Sequence, residues 1–362
     1  MLVLPVTGEP VYPCAPCYTV LLVLMIGLYA KWIGDWEHRL ASADSNRVVR
    51  PFEWGAEWLV DPPPNGDAPQ VLERFLQDSL RRSDDFYSGP TPTDYNLNGN
   101  HLTFTSPIHS PFPENNTVHG FLFKAQEDRK RAVVVLPQWN SDAMGHIGLC
   151  QLLNKFGVTA LRMSKAYHDR RMPPELERAD YHMSSNIGRT VHAFRQTVVD
   201  VRSCLTWLQR QGYERLAVLG TSLGSCVAFI TAAHDERVNA GVFNHVSMYV
   251  SDVVWTGVST RHVKQGIETH LTREQLKRYW SIISPGSFLE RVRSRPIPSL
   301  LVWARYDTTF LPEYSKLVLE AFREMRAPHQ VFTLPCAHYT TGRFPFNWMD
   351  GLAMCRFLSK TL

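Results

Sequence analysis

No stretch of this sequence is apolar for the ~20 residues that a membrane-spanning helix needs. The best candidate, residues 18–30, is continuously apolar or nearly so for 13 residues before Lys31 ends it. Residues 2–17 hold no Lys or Arg, so the positive charge that normally precedes the apolar core of a secretory signal is missing. A packing helix, or a chain whose true first residue is Met25, accounts for the segment; a membrane anchor is the alternative. Charge is equally unconcentrated: 38 Lys and Arg stand against 34 Asp and Glu, a formal net charge of +4 with no basic run. That speaks against nucleic acid as a partner. No internal repeat is visible. Cysteine is sparse and odd in number, seven in all, and five lie inside apolar segments. Buried thiols in a reducing compartment fit this best, and the expected location is cytoplasmic. Cys14 and Cys17 form a C-x-x-C far from any strand–helix pattern, and read as unpaired thiols rather than a redox or metal motif.

What is present is ordinary in composition, 44% hydrophobic and 20% charged over 362 residues, enough for one large domain with appendages or two small ones. Residues 1–69 read as an N-terminal arm, rich in Trp and Arg (Trp32, Trp36, Trp54, Trp58, Arg39, Arg47, Arg50) and packed on a domain surface. It ends in D-P-P-P-N-G-D-A-P at 61–69, where three prolines forbid a helix interior. Val71, Leu72, Phe75, Leu76 and Leu80 then recur at helical spacing. From about residue 101 strands and helices alternate. Residues 102–105 and 118–124 predict a pair of opening strands, and further strands are expected at 131–136, 158–163, 216–219, 241–244, 300–304 and 330–334. Helices are expected at 145–156, 187–211, 225–234, 312–325 and 346–358, the last with Trp348, Leu352, Cys355 and Leu358 on one face. Repeated strand–helix–strand units imply an α/β fold for residues 70–362, with a mostly parallel central sheet and helices on both faces. Residues 246–283, apolar and aromatic, read as a helical cap inserted between two strands.

Ligand crevices of such sheets open at the carboxyl ends of the strands. There, Gly220-Thr221-Ser222-Leu223-Gly224 matches G-x-S-x-G, with a strand before it and an apolar helix after it. A serine presented on so sharp a turn needs small neighbours, which Gly220, Gly224 and Ser225 supply. Serine is a poor nucleophile at neutral pH and needs an adjacent base, itself oriented by a carboxylate. Asp307 lies three residues past the strand ending at Ala304, and His338 four past the strand ending at Leu334, so both loops open at the edge where Ser222 sits. Asp252, after the 241–244 strand, is the rival acid. His245 is the other histidine at a strand end near Ser222. Acyl transfer also needs two N–H donors for the developing oxyanion. The backbone of Leu223 is one; Trp139, in the loop after the 131–136 strand, is the other, with Gln138 and Asn140 as neighbours able to replace it. Tyr167 and His168 read as structural loop residues more than substrate contacts.

These residues carry a resemblance. From about residue 101 onward the chain resembles the α/β-hydrolase superfamily, with Ser222, Asp307 and His338 at the matching positions in the order nucleophile, acid, base. The segments Y-H-D-R-R-M-P and W-L-Q-R-Q-G-Y are similar to esterase-like members, the α/β-hydrolase-domain group numbered eighteen in particular. The resemblance implies hydrolysis through an acyl-enzyme, with no metal and no cofactor. One departure stands out: the usual His-Gly of the oxyanion loop is Pro137-Gln138 here. The function expected is that of a serine hydrolase acting on a small-molecule acyl substrate, a carboxylic ester before a thioester or amide. A non-catalytic binding protein and a membrane-associated lipid hydrolase are the alternatives.

Overall fold

The strands that read as unbroken apolar runs are those buried on both faces. The structure, a computed structural model, describes residues 15–60, 67–127 and 129–362. Its strands are β1 (Asn96–Asn98), β2 (His101–Thr105), β3 (Thr117–Phe123), β4 (Arg131–Leu136), β5 (Thr159–Met163), β6 (Arg215–Thr221), β7 (Val238–Asn244), β8 (Ser299–Ala304) and β9 (His329–Leu334). They form one sheet in the order β1-β2-β3-β5-β4-β6-β7-β8-β9. The β1–β2, β2–β3 and β3–β5 pairs are antiparallel, and every pair from β5–β4 to β8–β9 is parallel. β1 escapes a reading of hydrophobic pattern because Asn-Leu-Asn has none and all three residues are exposed. A two-residue hairpin turn creates it: Asn98 pairs with His101, and Gly99 supplies the positive φ of 62°.

The helices are α1 (Ala15–Ala43), α2 (Ala68–Arg81), α3 (Ser83–Phe86), α4 (Ile147–Lys155), α5 (Ile187–Arg210), α6 (Leu223–His234), α7 (Val250–Thr256), α8 (Arg261–Ile267), α9 (Arg273–Tyr279), α10 (Leu289–Ser294), α11 (Pro312–Glu324) and α12 (Phe346–Thr361). Side chains alternate across a strand, so β4 sends Ala132, Val134 and Leu136 into one core and Val133 and Val135 into the other. The first core is closed by α2, α5, α6, α11 and the helices between β7 and β8; the second by α1, α4 and α12. α5 begins where the Asn186 side chain accepts from Arg189 N at 2.8 Å, and its stripe from Val191 to Leu208 is buried.

Three expectations are corrected. The last two residues of the proline-rich segment, Ala68 and Pro69, open α2, proline being well suited to a first helical turn; 61–66 lie outside the described residues. Trp348 is 58% exposed, and α12 packs through Phe346, Asp350, Met354, Cys355 and Leu358 instead. In α1, Ile33, Glu37 and Ala41 form the buried stripe, while Val23, Leu24, Met25, Ile26 and Leu28 are exposed. Among the described residues no helix is long and apolar enough to cross a membrane. Cys14 lies outside the described residues; Cys150, Cys204, Cys226, Cys336 and Cys355 are buried and free.

Candidate active site

Ser222 sits between β6 and α6 at φ 56° and ψ −122°, a conformation that costs a non-glycine residue of order 1–3 kcal/mol. The surroundings over-determine it. A Cβ on Gly220 would come within 2.0 Å of the Gly224 carbonyl oxygen, and one on Gly224 within 2.3 Å of the Leu136 oxygen. Ser222 N–H donates to Asn244 O at 2.8 Å, and the Ser225 hydroxyl donates to Ser222 O at 2.6 Å. The turn therefore holds the serine side chain at the carboxyl edge of the sheet, on the wall of a cavity of about 1100 Å³.

The loops after β8 and β9 meet it there. Ser222 Oγ lies 3.2 Å from His338 Nε2, and His338 Nδ1 lies 3.1 Å from Asp307 Oδ2. Asp307 Oδ1 accepts from the N–H groups of Thr309 and Phe310 at 2.8 and 2.7 Å, and the Phe310 ring stacks on the imidazole at 5.5 Å. Burial alone would raise Asp307, but the imidazoles of His338 and His245 hold its carboxyl well below the usual carboxylate range. For His338, burial disfavours the charged ring, but Asp307 and then Glu37 outweigh it, and the imidazole is raised above its ordinary value. The structure thus brings Ser222, Asp307 and His338 together. Asp252 is elsewhere, on α7, paired with Arg273 at 2.9 Å.

His245, the other histidine at a strand end, also reaches the acid. Its Nδ1 lies 2.9 Å from Asp307 Oδ2, on the same oxygen that faces His338, but without the alignment of a hydrogen bond. Burial, in the first place, lowers its value, against the opposing pull of Asp307. His245, Asp307 and His338 are the one set among the described residues able to share a metal ion.

Trp139 and Leu223 line the same cavity as Ser222. Neither backbone N–H finds an acceptor among the described residues. The Trp139 ring is pinned: Nε1 donates to Ala179 O at 3.0 Å, His262 stacks on it, and the Arg178 guanidinium lies 5.0 Å from it. Behind the loop, the fully buried Lys165 donates to Pro137 O at 2.8 Å and Gln138 O at 3.0 Å. In a trans peptide the carbonyl and the following N–H point opposite ways, so a Gln138 carbonyl held on Lys165 turns the Trp139 N–H to the other side. Tyr167 and His168 are buried in the same loop as Lys165 and hold Asn115 and Ala166; neither lines the cavity.

This sheet, with its serine elbow and strand-end loops, is the α/β-hydrolase fold. Residues 146–282 match the model of the family described as alpha/beta hydrolase domain containing 18. Among solved structures, acetyl xylan esterase 1 from Thermoanaerobacterium sp. is similar at a TM-score of 0.59 and 15% identity, over 81% of this chain and 98% of that one. The acylaminoacyl peptidase of Pyrococcus horikoshii is similar at 0.56 and 13%, over 74% of this chain and 42% of that one, so the chain spans less than half of the peptidase. An esterase from Pyrococcus furiosus is similar at 0.50 and 18%, over 74% and 93%. No curated protein matches. At these identities the solved structures speak for the fold; with the family match they support a hydrolase.

Proposed function

We propose that the protein is a serine hydrolase cleaving a carboxylic ester, or a thioester or amide, through an acyl-enzyme on Ser222. The observation that carries this is one relay, Ser222 Oγ to His338 Nε2 at 3.2 Å and His338 Nδ1 to Asp307 at 3.1 Å, at the mouth of a strained elbow. With its proton on Nδ1 facing Asp307, His338 accepts the hydroxyl proton at Nε2 as Oγ attacks the carbonyl carbon. Asp307 orients the ring and stabilises the imidazolium. The oxyanion is received by the N–H groups of Leu223 and Trp139, both without other acceptors. Collapse expels the alcohol, thiol or amine, which takes the proton from His338. Water, deprotonated by the same base, then releases the acid and restores Ser222.

The acyl group is read as moderately hydrophobic, because Val250, Val253 and Val254 of α7 and Met183 and Phe194 line the cavity beside the serine. A fluorophosphonate probe should label the purified protein at Ser222, and Ser222→Ala should lose labelling and p-nitrophenyl ester turnover together. An alanine variant that turns over at the wild-type rate ends the reading.

A second reading, a lipid hydrolase working at a membrane surface, is favoured by α1. Val23, Leu24, Met25, Ile26 and Leu28 are exposed on every side of this one stretch of α1, and a stretch apolar all round suits lipid better than water. Its test is co-flotation with phosphatidylcholine liposomes, compared with a variant carrying serine at these five positions; equal flotation of the two refutes it.

A further inference from the structure

Glu37 belongs to the arm whose purpose is opaque in the sequence, yet it lies against the relay. It is 1% exposed, on the same stripe of α1 as Ile33 and Ala41. Its carboxylate accepts from Tyr339 N–H at 2.9 Å to each oxygen, from Thr340 N–H at 3.1 Å, and from the Thr308 hydroxyl at 3.1 Å. Tyr339 directly follows His338, and Thr308 directly follows Asp307. A single side chain thus ties together the two loops that carry base and acid. The two backbone partners can only donate and so favour the carboxylate, while burial, the larger influence, raises the carboxyl above its ordinary value. Burying a carboxylate is costly unless it is fully satisfied, and its helical neighbours on the stripe are apolar, so packing of α1 does not call for a charge here.

We propose that Glu37 is a positioning residue of the hydrolase site: it locks the His338 and Asp307 loops in the register that sets Nε2 on Ser222, and places a second negative charge beside the imidazole. This rests on the serine-hydrolase reading. The titratable groups facing His338 are Asp307 from the loop after β8, His245 from the loop after β7 and Glu37 from α1. The neighbouring Tyr339 hydroxyl is turned to Arg47, whose guanidinium donates to it at 2.7 Å and also pairs with Asp44. Removing the Glu37 charge takes away part of what favours the imidazolium. Hydrolysis needs His338 neutral, so the acid limb of kcat/KM moves to lower pH.

The experiment compares the full chain with Glu37→Gln and Glu37→Asp, by p-nitrophenyl ester turnover across the histidine titration range, per site titrated with fluorophosphonate. Gln keeps the length without the charge; Asp keeps the charge but falls one methylene short of spanning both loops. We expect kcat per labelled site to fall about tenfold or more in both, with KM within about twofold, since small misplacements of reacting groups cost this much. The acid limb moves to lower pH in Glu37→Gln and stays in Glu37→Asp. Fewer labelled sites with wild-type kcat per site and an unmoved limb would mean that Glu37 only supports the fold, and would overturn the proposal. If Glu37→Gln does not fold, Glu37→Asp decides alone, wild-type kcat refuting the positioning role. A wild-type protein that neither labels nor turns over sinks the hydrolase reading itself, a result distinguishable from all of these.

Discussion

Replacing Lys165 by methionine separates the stability of the oxyanion loop from its chemistry. Methionine keeps the length of the side chain and removes the donors held by Pro137 O and Gln138 O. The buried Pro137 carbonyl then loses its partner, at about 1–3 kcal/mol, while the Gln138 carbonyl keeps only the longer bond from Ser141 N–H at 3.3 Å. Against this, Lys165 is fully buried, and burial pushes its amine well below the ordinary lysine value; relieving that desolvation returns several kcal/mol. The two effects offset, and the folding free energy should change by no more than about 2 kcal/mol in either direction. The chemistry has no such offset. With Lys165 gone, only the 3.3 Å bond from Ser141 N–H restrains the Gln138 carbonyl and the peptide it shares with Trp139 N–H, and full loss of one oxyanion donor costs about 10²–10³ in kcat, or roughly 3–4 kcal/mol. KM should stay within about twofold, because the donor acts on charge that develops only in the transition state. The assay is p-nitrophenyl ester hydrolysis, with binding of a trifluoromethyl ketone as the tetrahedral analogue. Ketone affinity should fall in parallel with kcat while a non-covalent substrate analogue binds unchanged. A folded Lys165→Met protein with kcat within about threefold of wild type and unaltered ketone affinity would refute the claim that this amine sets the donor.

Asp307→Asn should lower kcat by about 10⁴, the cost of holding the wrong imidazole tautomer, whereas Asp252→Asn, which breaks only the Arg273 pair, should leave kcat within about threefold; the reverse ranking reassigns the acid. Asp350 offers a test of pH linkage. It is buried, which pushes its carboxyl up to about 7, and Asn244 donates to it at 2.7 Å, which opposes the rise. The folded state therefore holds this proton more tightly than the unfolded chain, so its stabilising contribution is whole below about pH 4 and is lost as pH rises through about 7. Asp350→Asn, which keeps an acceptor for Asn244, should raise the Tm at about pH 8, with an upper bound of roughly 4 kcal/mol, and leave it unchanged at about pH 4. An equal change in Tm at both pH values would show that the carboxyl does not titrate as described.

The nucleophile was legible because its constraints are local: Gly220 and Gly224 are needed where a Cβ would strike backbone atoms a few residues or one strand away. Asp307 and His338 were legible because parallel strands deliver their following loops to one edge, so distance past a strand end stands in for position in space. The rest depended on burial decided by distant chain. Glu37, in the run D-W-E-H-R, and Lys165, in S-K-A-Y-H-D-R-R, look like members of solvated faces. Glu37 meets Tyr339 across 302 residues, and Lys165 meets Pro137 across 28. The Pro137-Gln138 departure shows what this hides. Proline contributes no N–H, so this loop can offer an oxyanion only donors that come after it, and those point the right way only if the carbonyls are held on the far side. Lys165 does for the oxyanion loop what Glu37 does for the acid and base loops. Each is a buried ionisable side chain outside the proton relay, hydrogen-bonded to backbone groups of a loop that touches the relay. Apolar side chains of similar volume would stabilise a core as well or better. Two such groups, buried behind loops that line one cavity, fit the geometry they would impose on Ser222, His338 and the Trp139 N–H better than they fit a gain in stability.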